Sequence, residues 1–200
     1  RGCSVLKTEK DGNDLIVQVM RRLIRQMMSQ GKMAGEKDTH FPKGNEGLNP
    51  QKTEPTNPLY SLDKQQSSLV YYDKNTIVLT MPYWVKVTNS SVEDSEVKKH
   101  SFVLSYDPEA MTASDTKLKL YISHVVEDAG ETVTRSNFTY AYRAYSIRAA
   151  LAAFKEKTGK LPKYLELTAE INNSKDELVD KDGKETSVER SVEYDYAFTE

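Results

Sequence analysis

The sequence predicts a mainly β protein: an antiparallel β-sandwich with one short helix, preceded by an N-terminal helix and a long Pro/Gly-rich arm. Three observations predict this. From residue 67 onward, apolar and polar residues alternate with a period of two, the signature of strands. Most of those runs keep one polar face, as antiparallel strands do, whereas strands of parallel sheets are apolar on both faces. One helical stripe interrupts the alternation, and prolines and glycines crowd residues 35–66.

Residues 1–34 form an N-terminal hairpin or helix segment. Asp11-Gly12 between apolar runs is a hairpin signal. In "DLIVQVMRRLIRQMMSQG", Ile16, Met20, Leu23, Ile24, Met27 and Met28 recur every three to four residues, with Asn13 or Asp14 to cap the start and Gly31 the end. That spacing predicts a helix over 15–29, although Leu15, Val17 and Val19 also alternate and leave a strand open for its first half. Residues 35–66 read as a linker or arm. Pro42, Pro50, Pro55 and Pro58 block regular ladders, and the apolar content is too low to offset the entropy of ordering the segment.

Residues 67–200 read as the sandwich domain. "SSLVYY" and "TIVLTMPYWVKVT" flank a turn at Asp73-Lys74-Asn75, and Pro82 implies a bulge or an edge in the second run. "HSFVLSY", "KLKLYISHVV", "TRSNFTYAYRAYS", "KYLELTAEIN" and "SVERSVEYDYAF" complete about seven strands. The helix is "SIRAALAAFKEKTGKLP". Ser146 can cap it, Ile147, Leu151 and Phe154 form its apolar stripe, and Gly159 then Pro162 end it.

Composition narrows the function. The chain has 200 residues and a net charge of −2, so no global field favours nucleic acid or an anionic membrane. Twelve tyrosines against five phenylalanines and one tryptophan suit half-buried strands, with rings packed and hydroxyls wet. Cys3 is the one cysteine, which excludes an intrachain disulfide and the usual thiolate zinc sites. It reads either as a surface thiol in a tail or as a lipidation site, since Gly2 and Ser4 supply the small neighbours that a lipoprotein signal wants. Any signal peptide would lie outside this sequence.

Few residues offer chemistry. His100 opens one strand, and His124 falls in register with Leu118, Leu120 and Ile122 near the end of another. They are expected to be polar strand-end residues that bind no metal, because no third ligand stands at metal spacing nearby. Asp180-Lys181-Asp182-Gly183 resembles part of a calcium loop, but Val188 stands where the closing glutamate belongs, so a hairpin tip is expected. There is no Gly-x-Ser-x-Gly, no glycine-rich phosphate loop and no cofactor motif. The protein is therefore expected not to be an enzyme and to need no cofactor.

The stretches "KKHSFVLSYD", "KLKLYISHVVEDAGE" and "YAYRAYSIRAALAAFKEKTGKLPKYLELTAEIN" together resemble the NigD-like lipoproteins of Bacteroidetes. The resemblance covers the C-terminal half. It implies a β-sandwich on a secreted, membrane-anchored protein of unassigned biochemical role, and it carries no catalytic residues across. It also implies an OB-like barrel ahead of the sandwich, where residues 1–66 instead offer a helix and a proline-rich arm. The expected function is a non-enzymatic binding or assembly module of the cell envelope with a protein or glycan partner. The alternative is an intracellular adaptor or nucleic-acid accessory whose N-terminal helix docks a partner, or a second copy, through Leu23 and Met27 beside Arg22 and Arg25.

Overall fold

A computed structural model describes residues 54–174 and 186–198. Cys3, Arg22, Leu23, Arg25, Met27, the helix expected over 15–29 and the turn at 180–183 lie outside the described residues. The rest forms a β-sandwich of two sheets. Its strands are β1 (Ser68–Asp73), β2 (Thr76–Val85), β3 (His100–Ser105), β4 (Lys117–Val126), β5 (Asn137–Ser146), β6 (Tyr164–Ile171) and β7 (Val188–Asp195). One sheet has the order β1-β2-β5 and the other β3-β4-β6-β7. Two helices join them: α1 (Asp94–Val97) leads into β3, and α2 (Arg148–Thr158) carries the chain from β5 to β6.

The strands form where period-two alternation supplies an apolar face. Ile77, Leu79, Met81, Tyr83 and Val85 of β2 face Leu118, Leu120 and Ile122 of β4 and Leu165, Leu167 and Ala169 of β6 in one buried core. The pairings β1–β2, β2–β5, β3–β4 and β6–β7 are antiparallel, as expected. The β4–β6 pairing is parallel, with Leu118 opposite Leu165 and Leu120 opposite Leu167. The excursion through β5 and α2 returns the chain to the end at which β4 began. Period-two alternation fixes which face is buried and leaves strand direction open.

Pro82 causes no bulge. The β2–β5 register runs unbroken through Pro82 and Tyr140, and β2 is the central strand of its sheet. The Pro82 carbonyl accepts from the Tyr60 N–H at 3.0 Å. In a strand the N–H and C=O of one residue point to the same side, so the missing donor of Pro82 faces the flank beyond β1, whose last partner on β2 is Thr80. Ser146 does not cap α2. It ends β5, and Ile147 takes the N-cap position with no side-chain cap bond. The Ile147 N–H donates instead to the Asn75 carbonyl at 2.7 Å. Gly159 ends the helix in the left-handed region at φ 75°, as its sequence position implies.

Residues 54–66, read from the sequence as arm, belong to the sandwich. Pro58, Leu59, Ser61 and Leu62 are buried. Leu59 bridges to Tyr83 on β2 and to Ile171 on β6, so a single residue ties the two sheets together. Its N–H donates to the Glu170 carbonyl at 2.9 Å, and its carbonyl accepts from Asn172 at 2.8 Å. Four apolar or small residues in a proline-rich context gave no periodicity, but docking to existing edges needs none.

Candidate functional site

The site is built from the two histidines that the sequence singled out. Antiparallel pairing sets Phe102 opposite His124 and His100 opposite Val126. His100 and His124 are thus diagonal neighbours on the inner face of the sheet. His100 Nδ1 lies 2.8 Å from His124 Nε2. The ring centroids are 5.1 Å apart and the planes differ by 17°, so the rings lie end to end and share this hydrogen bond along their planes. Phe102 stacks flat on His124 with centroids 4.9 Å apart. Tyr83 tilts against His100 at 4.8 Å. The histidines are therefore not separate polar tips but one bonded pair, 4% and 2% exposed.

Each outer nitrogen of the pair has a partner. His124 Nδ1 lies 3.1 Å from the Pro58 carbonyl of the docked 54–62 strap. The strap is held at the same place by the His124 carbonyl, which accepts from the Thr56 and Asn57 N–H groups at 3.0 and 3.3 Å. His100 Nε2 lies 3.2 Å from Glu96 Oε1. Glu96 sits on α1, four residues before His100, and that one-turn spacing brings it alongside.

Glu96 is buried because its carboxylate is fully engaged. It accepts from the Lys86 backbone N–H at 2.9 Å and from Arg135 Nε at 2.7 Å. Arg135, itself 6% exposed, presents its other edge to Asp128 in two bonds of 2.7 and 2.6 Å. One guanidinium thus bridges two carboxylates with the planar fork that only arginine supplies. Lys99 reaches Asp128 from the rim at 3.5 Å.

These contacts set the charges. Burial works to raise the Glu96 carboxyl, but Arg135, the Lys86 N–H and His100 outweigh it and hold the group below its ordinary value. Arg135 likewise holds Asp128 down. His100 is held below its ordinary value: burial pushes it down most, Glu96 pulls it up and Arg135 pushes it down again. Burial, with the neighbouring His100, pushes His124 down to about 3. Among the described residues no cluster of three histidine, cysteine, aspartate or glutamate side chains is arranged to hold a metal ion.

Sequence reasoning found His100 and His124 but missed Glu96, Arg135 and the strap. "VEDSEVKK" reads as a solvated acidic loop, and Arg135 stands in an irregular polar stretch. The one available signal was the Glu96–His100 spacing.

A second feature lies on the opposite face of the β1-β2-β5 sheet. Phe138, Tyr140 and Tyr142 alternate along β5 and stand 43%, 41% and 49% exposed. Tyr60 of the strap stacks on Phe138 with centroids 4.2 Å apart and meets Trp84 edge-on at 5.0 Å. Trp84 in turn donates its indole N–H to the Asn172 carbonyl at 2.7 Å. No described helix is long and apolar enough to cross a membrane.

No family model matches the chain. No curated protein matches it either. Among solved structures it is similar to a candidate lipoprotein from Bacteroides fragilis, with 25% identity and a TM-score of 0.61, covering 81% of this chain and 70% of that one. An uncharacterised protein from Parabacteroides merdae aligns with 12% identity and a TM-score of 0.41, over 74% of this chain and 64% of that one.

Proposed function

We propose that this chain is the folded part of a cell-envelope lipoprotein of the NigD-like kind, anchored through Cys3 and acting as a non-enzymatic binding or assembly module. The observation that carries the reading is the structural similarity to the Bacteroides fragilis candidate lipoprotein, which extends over 81% of this chain. Two features support the binding part. The groups best suited to acid–base work, His100, His124 and Glu96, are buried and bonded to one another and to the strap. The exposed aromatic row of Phe138, Tyr140 and Tyr142 supplies the residue types enriched where proteins meet.

Expression of the whole gene product in a Bacteroides host, fed an alkyne-tagged fatty acid, tests the anchor. Label on the wild type that is absent from Cys3→Ala, with the protein in the membrane fraction, supports the reading. An unlabelled, non-sedimenting wild type overturns it.

A further inference from the structure

The contacts around the histidines demand more protons than two neutral rings carry. Three hydrogen bonds run in a row: Pro58 carbonyl to His124, His124 to His100, and His100 to Glu96. Both ends of the row accept only, since a carbonyl has no proton and Arg135 keeps Glu96 ionised. Each bond needs one proton, so the row needs three. Two neutral imidazoles hold two ring N–H protons between them. We propose that His100 and His124 form a buried site for one extra proton, and that its occupancy fastens the 54–62 strap through Pro58.

With the proton bound, His100 donates from both nitrogens, to Glu96 and to His124 Nε2. His124 stays neutral and donates its Nδ1–H to Pro58. Without the proton, one contact must set two lone pairs against each other at hydrogen-bond distance inside the protein. The bond to the Glu96 carboxylate is charge-assisted and survives. His100 then keeps its Nε2–H, its Nδ1 becomes an acceptor, and the His124 proton moves to Nε2 to meet it. That leaves the lone pair of His124 Nδ1 facing the Pro58 carbonyl, and the strap loses this tie and is held more loosely by its backbone bonds to the His124 carbonyl.

The surroundings act on this charge in both directions: burial and Arg135 oppose it, and Glu96 and Asp128 favour it. From α1 comes Glu96, from the β4–β5 connection Asp128 and Arg135, from the turn before β3 Lys99, from β2 the Tyr83 phenol, and from β5 Arg143, whose guanidinium lies over the Phe102 ring. Glu96 and Arg135 are buried and Asp128 is half-buried, and these three carry one negative charge in excess, with Lys99 and Arg143 as partly exposed cations around them. A proton on His100 cancels it. Because the proton binds the fastened strap in preference, raising the pH through the titration of the pair unfastens it, and lowering the pH fastens it.

Histidine ring ¹H–¹⁵N spectra of the full chain, recorded between about pH 4 and pH 9, count these protons directly. At the acid end of the folded range, the spectra should show both ring nitrogens of His100 protonated and His124 as the Nδ1–H tautomer. Raising the pH should remove one proton and move the His124 proton to Nε2. The Thr56 amide, corrected for intrinsic exchange, should lose protection about tenfold in the same step. Two ring protons at every pH overturn the proposal, as does a titration that leaves Thr56 unchanged. In His100→Phe, His124 keeps its Nδ1–H for Pro58 at every pH, so Thr56 protection should no longer depend on pH. Unaltered pH dependence in that variant overturns the proposal. If the variant fails to fold, the wild-type spectra decide.

Discussion

Arg135 is the residue on which the buried charges depend. It is the cation that the buried Glu96 and the half-buried Asp128 share, one on each edge. Replacing it by methionine keeps most of the volume and removes the charge. Asp128 would keep Lys99, and Glu96 would keep the Lys86 N–H and His100, but the guanidinium that they share would be gone, so Arg135→Met should cost about 3–5 kcal/mol in urea unfolding. A loss below about 1 kcal/mol would mean that solvent screens the network. The same residues set the response to acid. Glu96 and Asp128 are held below their ordinary values, so the stability they confer is present above about pH 4 and lost as pH falls through their folded values. His124 has the same sign over a higher window. Its folded value of about 3 lies below that of a free histidine, so stability should begin to fall as pH drops below about 6.5. Equilibrium unfolding as a function of pH, with His124→Gln as the control, separates the two windows. At this scale the sequence showed the histidines, because they stood on strands that could be read. It hid Glu96 and Arg135, because a charge in a loop is solvated until tertiary closure covers it.

At the scale of elements, two devices hold the sheets together, and only one was visible as composition. The tyrosine excess is used in seams between the sheets. Tyr71 of β1 donates to the Asp195 carbonyl, Tyr194 of β7 to Ser67, and Tyr196 to Lys74, closing the side where β1 and β7 meet. Tyr145 of β5 donates to the Phe102 carbonyl of β3 at 2.8 Å on the other side. These hydroxyls are spent on backbone carbonyls, not left to water. Tyr145→Phe should keep the packing and lose about 0.5–1.5 kcal/mol, because a buried carbonyl forfeits its donor. The second device is the strap. Leu59 is fully buried between the sheets, so Leu59→Ala should cost about 2–5 kcal/mol, whereas the same change in an unpacked arm would leave the unfolding midpoint where it was. The strands and α2 were legible because each repeats its own period. The parallel β4–β6 ladder was not, because "KLKLYISHVV" and "KYLELTAEIN" carry the same alternation whichever way they run.

Taken whole, the sandwich has one inner core and one aromatic outer surface, and the two differ in what they do for stability. Trp84 is on the outer side of β2 but only 4% exposed. Tyr60 covers it, and its indole reaches across to Asn172 at the end of β6. It belongs to the fold, and Trp84→Ala should cost about 3–5 kcal/mol. Tyr140 and Tyr142 lie on the same face but stand 41% and 49% exposed, on a strand at the end of its sheet. Tyr140 meets Phe138 edge-on, and both tyrosines leave much of their surface to solvent. A Tyr140→Thr/Tyr142→Thr double variant retains strand propensity through the β-branched side chain. It should therefore unfold within about 1 kcal/mol of the wild type. If the module binds through this row, association with its envelope partner should fall in the same variant while circular dichroism and the urea midpoint hold. A midpoint that drops as far as that of Trp84→Ala would show instead that the tyrosines are core residues of the intact molecule, and the aromatic row would no longer count as a surface for binding.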